Sequence, residues 1–421
     1  MSGPASGVIA AAKTAMRAGF PNIVTYDMGG TSCDVALVQN GAPHVSTELE
    51  LEYAMPIHVP MVDVHTIGAG GGSVARVDTA GILQVGPESA GARPGPVCYA
   101  RGGVSPTITD ANVALGRLAA DRLLAVDRPV SIEQIYSAIM RDVGEPLGLS
   151  AHEGAAAIVR IANDRMAGAI RMVSLARGHD PRDFALFAFG GAGPLHAVAL
   201  ARELSIPKVV IPSRPGLTNA FGCVLADVRH DYARTVNKRL ADIDDAMVRT
   251  VFEQQIADGR ATIERERVPV IDVRSVHRAD MQFEGQSHIL TVDVPNVEVT
   301  NADLHDLFEA AYWQRFQVEL KEIRSVLVNL HTSVIASRGA VALDDWNGAS
   351  GRRALVDAAI ERRPVWFDGG WLDTPVYRRD WLPSDAIFSG PAIVEQLDAT
   401  TVVEPGNRVE TDATGNLIVT V

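Results

Sequence analysis

Asn22-Ile-Val-Thr-Tyr-Asp-Met-Gly-Gly-Thr-Ser-Cys-Asp-Val-Ala-Leu-Val-Gln-Asn-Gly41 sets two apolar runs on either side of a glycine bend bounded by acids. Asn22–Tyr26 and Val35–Val38 each read as a strand, and Asn40-Gly41 is a strong signal for a two-residue type I′ hairpin. Asp27 and Asp34 therefore flank a tight bend within a β-meander. Gly29 and Gly30 let backbone amides close on an anion with no Cβ in the way. Asp27 is placed to hold a hydrated magnesium ion, and Thr31 and Ser32 to donate to phosphate oxygens. The plainer alternative is a glycine hairpin with solvated acids.

Working outward, residues 7–18 carry an alanine-rich helix pattern closed by Gly19 and Pro21. After the meander come the alternation Glu48-Leu-Glu-Leu-Glu52 and a strand from Ile57 to His65, which runs into Gly68-Ala-Gly-Gly-Gly-Ser73. Strand alternation puts Asp63 and His65 on one face, as an acid–base pair, two metal ligands or a plain hydrogen-bonded pair. His58 falls on the other face and reads as structural. Val74–Asp78 and Ile82–Val85 form a hairpin through Gly81, and 86–106 is a long Gly/Pro/Ser-rich connection.

Helices dominate from about 107 to 178, with capping-box spacing at Ser131–Gln134 and Ser150–Glu153. Phe184–Phe189 is a buried strand followed by Gly190-Gly-Ala-Gly-Pro194, a helix through Leu204 and the strand Lys208–Ile211. This β–Gly turn–α–β unit implies an α/β protein. Gly190, Gly191, Ala192 and Gly193 lie at a helix N-terminus, where orphan amides favour an anion or the sugar and base edge of a nucleotide. The pattern is neither GxGxxG nor a P-loop. His196 reads as a packed histidine. Near 235 the composition shifts to a charged helix (243–266) and mixed elements that include a strand at Ser325–Ser337. Residues 364–421 look all-β.

The 421 residues, 47% apolar and 21% charged, suit two or three globular domains. A net charge of −13 with no Lys/Arg cluster argues against nucleic-acid and anionic-membrane partners. Cys33, Cys98 and Cys223 make no CxxC pair, which fits a reduced cytoplasmic setting. Cys33 lies in the bend with nothing but dipoles to activate it. No apolar run is long enough to span a bilayer.

These segments together resemble the A-type (alpha) subunits of the hydantoinase/oxoprolinase family. The resemblance is carried by Ser2–Ile9, Asp27–Val35, Val64–Ser73, Val85–Gly91, Pro94–Pro96, Thr109–Asn112, Phe189–His196, Pro215–Gly222, Val365–Gly369 and Gly390–Gln396. It implies a ribonuclease-H-like lobe of the actin/Hsp70/sugar-kinase kind with a helical insertion over 1–235. A mixed α+β C-terminal domain with a β-rich tail would then fill 236–421. It implies ATP and Mg2+ as cofactors, with Asp27 holding the metal through water, Asp34 shaping the loop or orienting a water, 29–32 as a phosphate motif and 190–193 as the adenosine motif. The implied activity is ATP-dependent opening of a cyclic amide such as a hydantoin or 5-oxoproline, through phosphorylation of its oxygen. A related carboxylase acting on ketones and a non-catalytic partner subunit are alternatives. A B-type subunit is the implied partner. Two features depart from the family pattern. No first phosphate loop precedes Asp27, so the chain is expected to be the later part of a truncated or split subunit, with a separate N-terminal lobe chain as a further partner. Phe308–Tyr312 stands where the family has two histidines.

Overall fold

The computed structural model describes residues 2–46, 49–51, 55–57, 61–124, 126, 130–175, 177–320, 323–339 and 351–421. The chain divides into two compact units: Met1–Val224 with Ala342–Val421, and Leu225–Val341.

The first unit is built on a mixed sheet. Its centre is β1 (Ile23–Met28), every residue buried, with β2 (Cys33–Gln39) antiparallel to it. Asn40 and Gly41 turn β2 back on Ala42–Pro43 with φ of 51° and 75°, the left-handed pair that a type I′ turn requires. β3 (Val64–Ile67) pairs with the start of β2. On the other side β6 (Ala185–Phe189) runs parallel to β1, and β7 (Lys208–Ile211) parallel to β6. The crossover between them is α4 (Gly193–Leu204), with Pro194 in its first turn, so the β–Gly–α–β reading holds. β4 (Ser73–Val77) and β5 (Leu83–Ser89) form the expected hairpin.

Strand alternation sends the two faces of β1 and β2 into different cores. Val24, Tyr26, Met28, Cys33, Val35 and Leu37 pack with α2 (Ile108–Ala114) and the long α3 (Ala151–Leu175). Ile23, Ala36 and Val38 join Phe187 and Phe189 beneath α1 (Ser2–Arg17), whose Val8, Ala11, Ala12 and Ala15 face them. The sheet is thus the middle layer of three. Ser150 and Glu153 make their reciprocal capping bonds, whereas Ser131 makes no side-chain cap. Thr107–Asp110 makes a capping box that Asp110 extends by accepting from the amides of Val97 and Cys98.

The second unit opens with β8 (Val228–Arg239), followed by α6 (Asp245–Glu266), β9 (Asp272–Phe283), β10 (Leu290–Val294), α7 (Asn301–Phe316) and β11 (Ser325–Ser337). The four strands form an antiparallel sheet in the order β8-β11-β9-β10. Val248, Phe252, Leu304 and Phe308 pack with Ala279, Met281, Val292 and Leu330. Val228 at its start lies opposite Ala336 at its end.

The observed units differ from the expected ranges 1–235 and 236–421 in two ways. Residue 235 falls inside β8, which the charged composition had disguised. The β-rich tail belongs with the first unit. β14 (Ile387–Ser389), β17 (Arg408–Thr411) and β18 (Leu417–Thr420) extend the large sheet beyond β7, while β12 (Ala359–Phe367), β13 (Gly370–Arg378), β15 (Ala392–Glu395) and β16 (Thr400–Val403) form a sheet of their own. Within the Glu48–Glu52 alternation, Leu49–Leu51 pairs with Met55–Ile57, whereas Glu48, Glu52 and His58 lie outside the described residues. Among the described residues no helix is long and apolar enough to cross a membrane.

Candidate functional site

Asp27 and Asp34 are direct cross-strand partners in the β1–β2 register, on the face that carries α1. Opposed side chains of an antiparallel pair stand about 5 Å apart, so two carboxylates here repel each other and attract a cation. Asp27 is buried, 8% exposed. Burial pushes its carboxyl above the ordinary range, a hydrogen bond from Asn219 draws it back, and the charge of Asp34 pushes it up again. Asp34 is half-buried and accepts from the Thr66 hydroxyl of β3.

The bend between the acids is held from beneath. Gly71 N donates to Gly29 O at 3.0 Å and Gly72 N to Gly30 O at 2.7 Å. Engaging these carbonyls leaves the amides of Gly30, Thr31 and Ser32 with no acceptor among the described residues. Gly30 and Thr31 are exposed. Free amides beside free hydroxyls make a cradle for an oxyanion. Gly29 plays a different part from the one expected, because its N–H closes the bend on Ser32 O at 3.1 Å. The glycine run at 68–72 is explained by this contact: a Cβ on Gly70 would stand 2.5 Å from Thr31 N. Thr109 fixes the far side of the run, its amide and hydroxyl both donating to Gly71 O at 2.8 Å.

Gly190 lies against the acid. Its φ is +80°, and a Cβ there would sit 2.3 Å from Asp27 Oδ1. Ala192 N donates to Met28 O at 2.9 Å, which ties the second glycine turn to the end of β1. Gly191 is exposed and Gly193 begins α4. The structure thus brings 190–193 beside 27–32, two turns at the carboxyl ends of adjacent parallel strands, where ligands of α/β sheets bind.

Asn219, in the first turn of α5 (Thr218–Leu225), was missed by sequence reasoning. Its Nδ2 donates to Asp27 Oδ2 at 2.7 Å. It is wedged by α1: a Cβ on Gly7 would lie 1.8 Å from its Oδ1, and Ser6 Oγ donates to its carbonyl at 2.9 Å. Its only sequence signal was its place in the Pro215–Gly222 segment. Replacing Asn219 by Ala is expected to cost about 1.5–3 kcal/mol through loss of a bond to a charged group. Its removal raises the Asp27 pKa further, and a raised carboxyl contributes stability that is lost as pH rises through the folded value. The deficit in denaturant unfolding should therefore grow with pH.

Asp63 is half-buried and bonded to Arg177, with His44 Nδ1 at 3.9 Å. No hydrogen bond joins it to His65 among the described residues, and among them no group of three or more His, Cys, Asp or Glu is arranged to hold a metal. His196 is fully buried and bonded through Nδ1 to Asn163 Oδ1 at 2.7 Å; burial, then Arg117, pushes its pKa down to about 3, so it stays neutral. Burial pushes the Cys33 thiol up, away from nucleophilic character.

The family described as hydantoinase/oxoprolinase matches residues 1–232, and the hydantoinase/oxoprolinase C-terminal domain matches 242–417. The chain belongs to the hydantoinase/oxoprolinase family. It is 37% identical to the caprolactamase subunit alpha of Pseudomonas jessenii over 98% of its own length and 60% of that subunit. Its mixed α/β fold is similar to the crystal structure of the ATP-dependent caprolactamase of that organism (TM-score 0.80, 35% identity, 99% of this chain and 61% of that one). It is similar also to nucleotide-free acetone carboxylase (TM-score 0.82, 26% identity, 99% and 61%). The chain thus spans about 60% of the length of these relatives.

Proposed function

We propose that this chain carries the nucleotide-phosphate site of an ATP-dependent cyclic-amide hydrolase, which activates its substrate by phosphorylating the amide oxygen. The observation that carries the reading is the bend at 27–34, where paired carboxylates meet outward-facing amides and hydroxyls. The large sheet, layered between α1 and α3, is read as a ribonuclease-H-like lobe of the actin/Hsp70/sugar-kinase kind. Residues 1–235 would hold the nucleotide motifs and 236–421 the C-terminal hydantoinase domain.

The residues fit magnesium and a polyphosphate: hard carboxylate oxygens for a hydrated cation, amides and hydroxyls for phosphate. Asp27, pinned by Asn219, would orient a water of the metal shell, and Asp34 would shape the bend or hold a second water. Thr31, Ser32 and the Gly30 amide would hold the phosphate, while 190–193 would border the adenosine. Magnesium ATP supplies the driving force for opening an amide that resists plain hydrolysis. The residues contribute positioning and charge stabilisation rather than covalent chemistry. Asp63 and His65 are kept as a substrate-side proposal. A B-type subunit and a chain supplying an N-terminal lobe are the proposed partners, and the cytoplasm the proposed location.

A second reading, a subunit of an acetone- or acetophenone-type carboxylase, is favoured by the comparable similarity to acetone carboxylase. Calorimetric titration of Mg-ATP, followed by ADP release from the chain with its partner subunits, tests both. Release dependent on caprolactam, hydantoin or 5-oxoproline supports the hydrolase; release dependent on a ketone with bicarbonate supports the carboxylase. No Mg-ATP binding by chain or assembly overturns the nucleotide site itself.

A further inference from the structure

A pocket in the first unit, separate from the acidic bend, is lined by Ser213, Arg214, Arg352, Arg379, Ser384 and Thr411. It is a small pocket, partly open to solvent. Three guanidiniums line it and Asp380 is the one acid in the lining, in a chain whose net charge is −13. Asp380 is already spoken for, since Arg214 pairs with it at 2.7 Å. Among the described residues neither Arg352 nor Arg379 makes an ion pair, although Asp412 and Asp398 lie close enough to Arg379 to favour its charge.

Arg379 is 6% exposed. Its Nη2 donates to the carbonyls of Ile211, Pro212 and Gly415 at 3.2, 3.2 and 2.8 Å, so part of its work is to tie the end of β7 to the β17–β18 turn. Nη1 has no hydrogen-bond partner among the described residues. Burial pushes the pKa down to about 9, which leaves the group charged at neutral pH. A buried charged donor left unpaired is costly unless something completes its bonding. The fastening of carbonyls also gives no reason for Arg352, which is half-buried and has no carboxylate partner among the described residues. Its neighbour Arg353 holds it in place, donating its amide to Trp381 O at 2.8 Å and lying over the Trp381 ring at 3.6 Å.

We propose that this pocket is an oxyanion-binding subsite, which takes the phosphate or carboxylate end of a small ligand between Arg352 and Arg379. Planar guanidiniums suit the paired oxygens of either group, and the serine hydroxyl at 384, without a partner among the described residues, adds a donor to such a ligand. The subsite lies past the end of β7, next but one to β1 in the sheet, so it opens on the same edge as the acidic bend, roughly 10 Å along it. Gly190 N donating to Pro215 O at 3.0 Å joins the two stretches. The proposal does not rest on the nucleotide reading.

Calorimetric titration of the full chain at low ionic strength, with inorganic phosphate and separately with acetate, tests it. Saturable phosphate binding at or below about 1 mM is expected, weakened at least about fivefold in Arg352→Gln and restored in part by Arg352→Lys. Circular dichroism checks that each variant is folded. Binding of phosphate alone assigns a phosphate-bearing ligand; equal binding of acetate assigns a carboxylate. No saturable heat from either anion up to about 10 mM, or binding undiminished in folded Arg352→Gln, overturns the subsite.

Discussion

Asp27→Asn is expected to give a folded protein with higher thermal stability at neutral pH and turnover of nucleotide reduced roughly 10²–10³-fold, the loss typical of a group that acts through charge at a reacting phosphate. The two changes have one cause. Asp27 is buried opposite Asp34, and its carboxyl is pushed up chiefly by burial. A carboxyl whose folded pKa exceeds its unfolded one stabilises the fold only while protonated, and that contribution disappears as pH rises through the folded value. At neutral pH the ionised group is therefore a net burden on the fold. Asparagine keeps the shape and can still accept from Asn219, whose Nδ2 is 2.7 Å from Asp27 Oδ2, while the charge is gone. A gain of about 1–2 °C is expected by calorimetry at neutral pH, vanishing in acid where both proteins are neutral at this site. Equal melting temperatures across that range, or undiminished nucleotide turnover, would sink the assignment of Asp27 as a strained functional acid.

Gly190→Ala is expected to be the most damaging single methyl group near the site. The left-handed backbone, φ +80°, costs about 1–2 kcal/mol for any residue with a Cβ. That Cβ would also lie 2.3 Å from Asp27 Oδ1 and 2.5 Å from Met28 O, and an overpacked contact of this kind costs about 1–3 kcal/mol more. A total near 2–5 kcal/mol should appear in denaturant unfolding, together with loss of Mg-ATP binding because the carboxylate must move. Gly191→Ala is the matched control. It has no left-handed φ, it is exposed, and its Cβ would meet nothing closer than Asp398 O at 3.5 Å. Its effect should stay within about 0.5 kcal/mol.

The acidic bend was legible because every determinant is local: two apolar runs buried almost throughout, glycines where the chain reverses, and Asn40-Gly41 to close the next hairpin. The strand–glycine–helix–strand segment at 185–211 was legible for the same reason. What remained hidden depends on contacts between distant residues. Asn219 reaches Asp27 across 192 residues, and no spacing rule marks an asparagine as the partner of a particular carboxylate. The purpose of the glycine run at 68–72 could not be read from its neighbours in sequence, because Gly70–Gly72 is buried as the floor of a bend some forty residues away. The tail showed its strands but not their partners, because pairing such as Lys208 with Thr420 is decided by edge availability in the finished sheet. β8 was not marked as a strand, and a domain boundary was set inside it at 235, because most of its side chains are exposed or half-exposed, which erases the apolar alternation that normally marks a strand.

Val228 and Ala336, at opposite ends of the second unit's sequence, are rungs of one ladder. A segment whose entry and exit lie side by side is a self-closing cassette. Genetic exchange can swap, lengthen or delete such a piece through two neighbouring junctions, while the strands around Asp27 are encoded outside it.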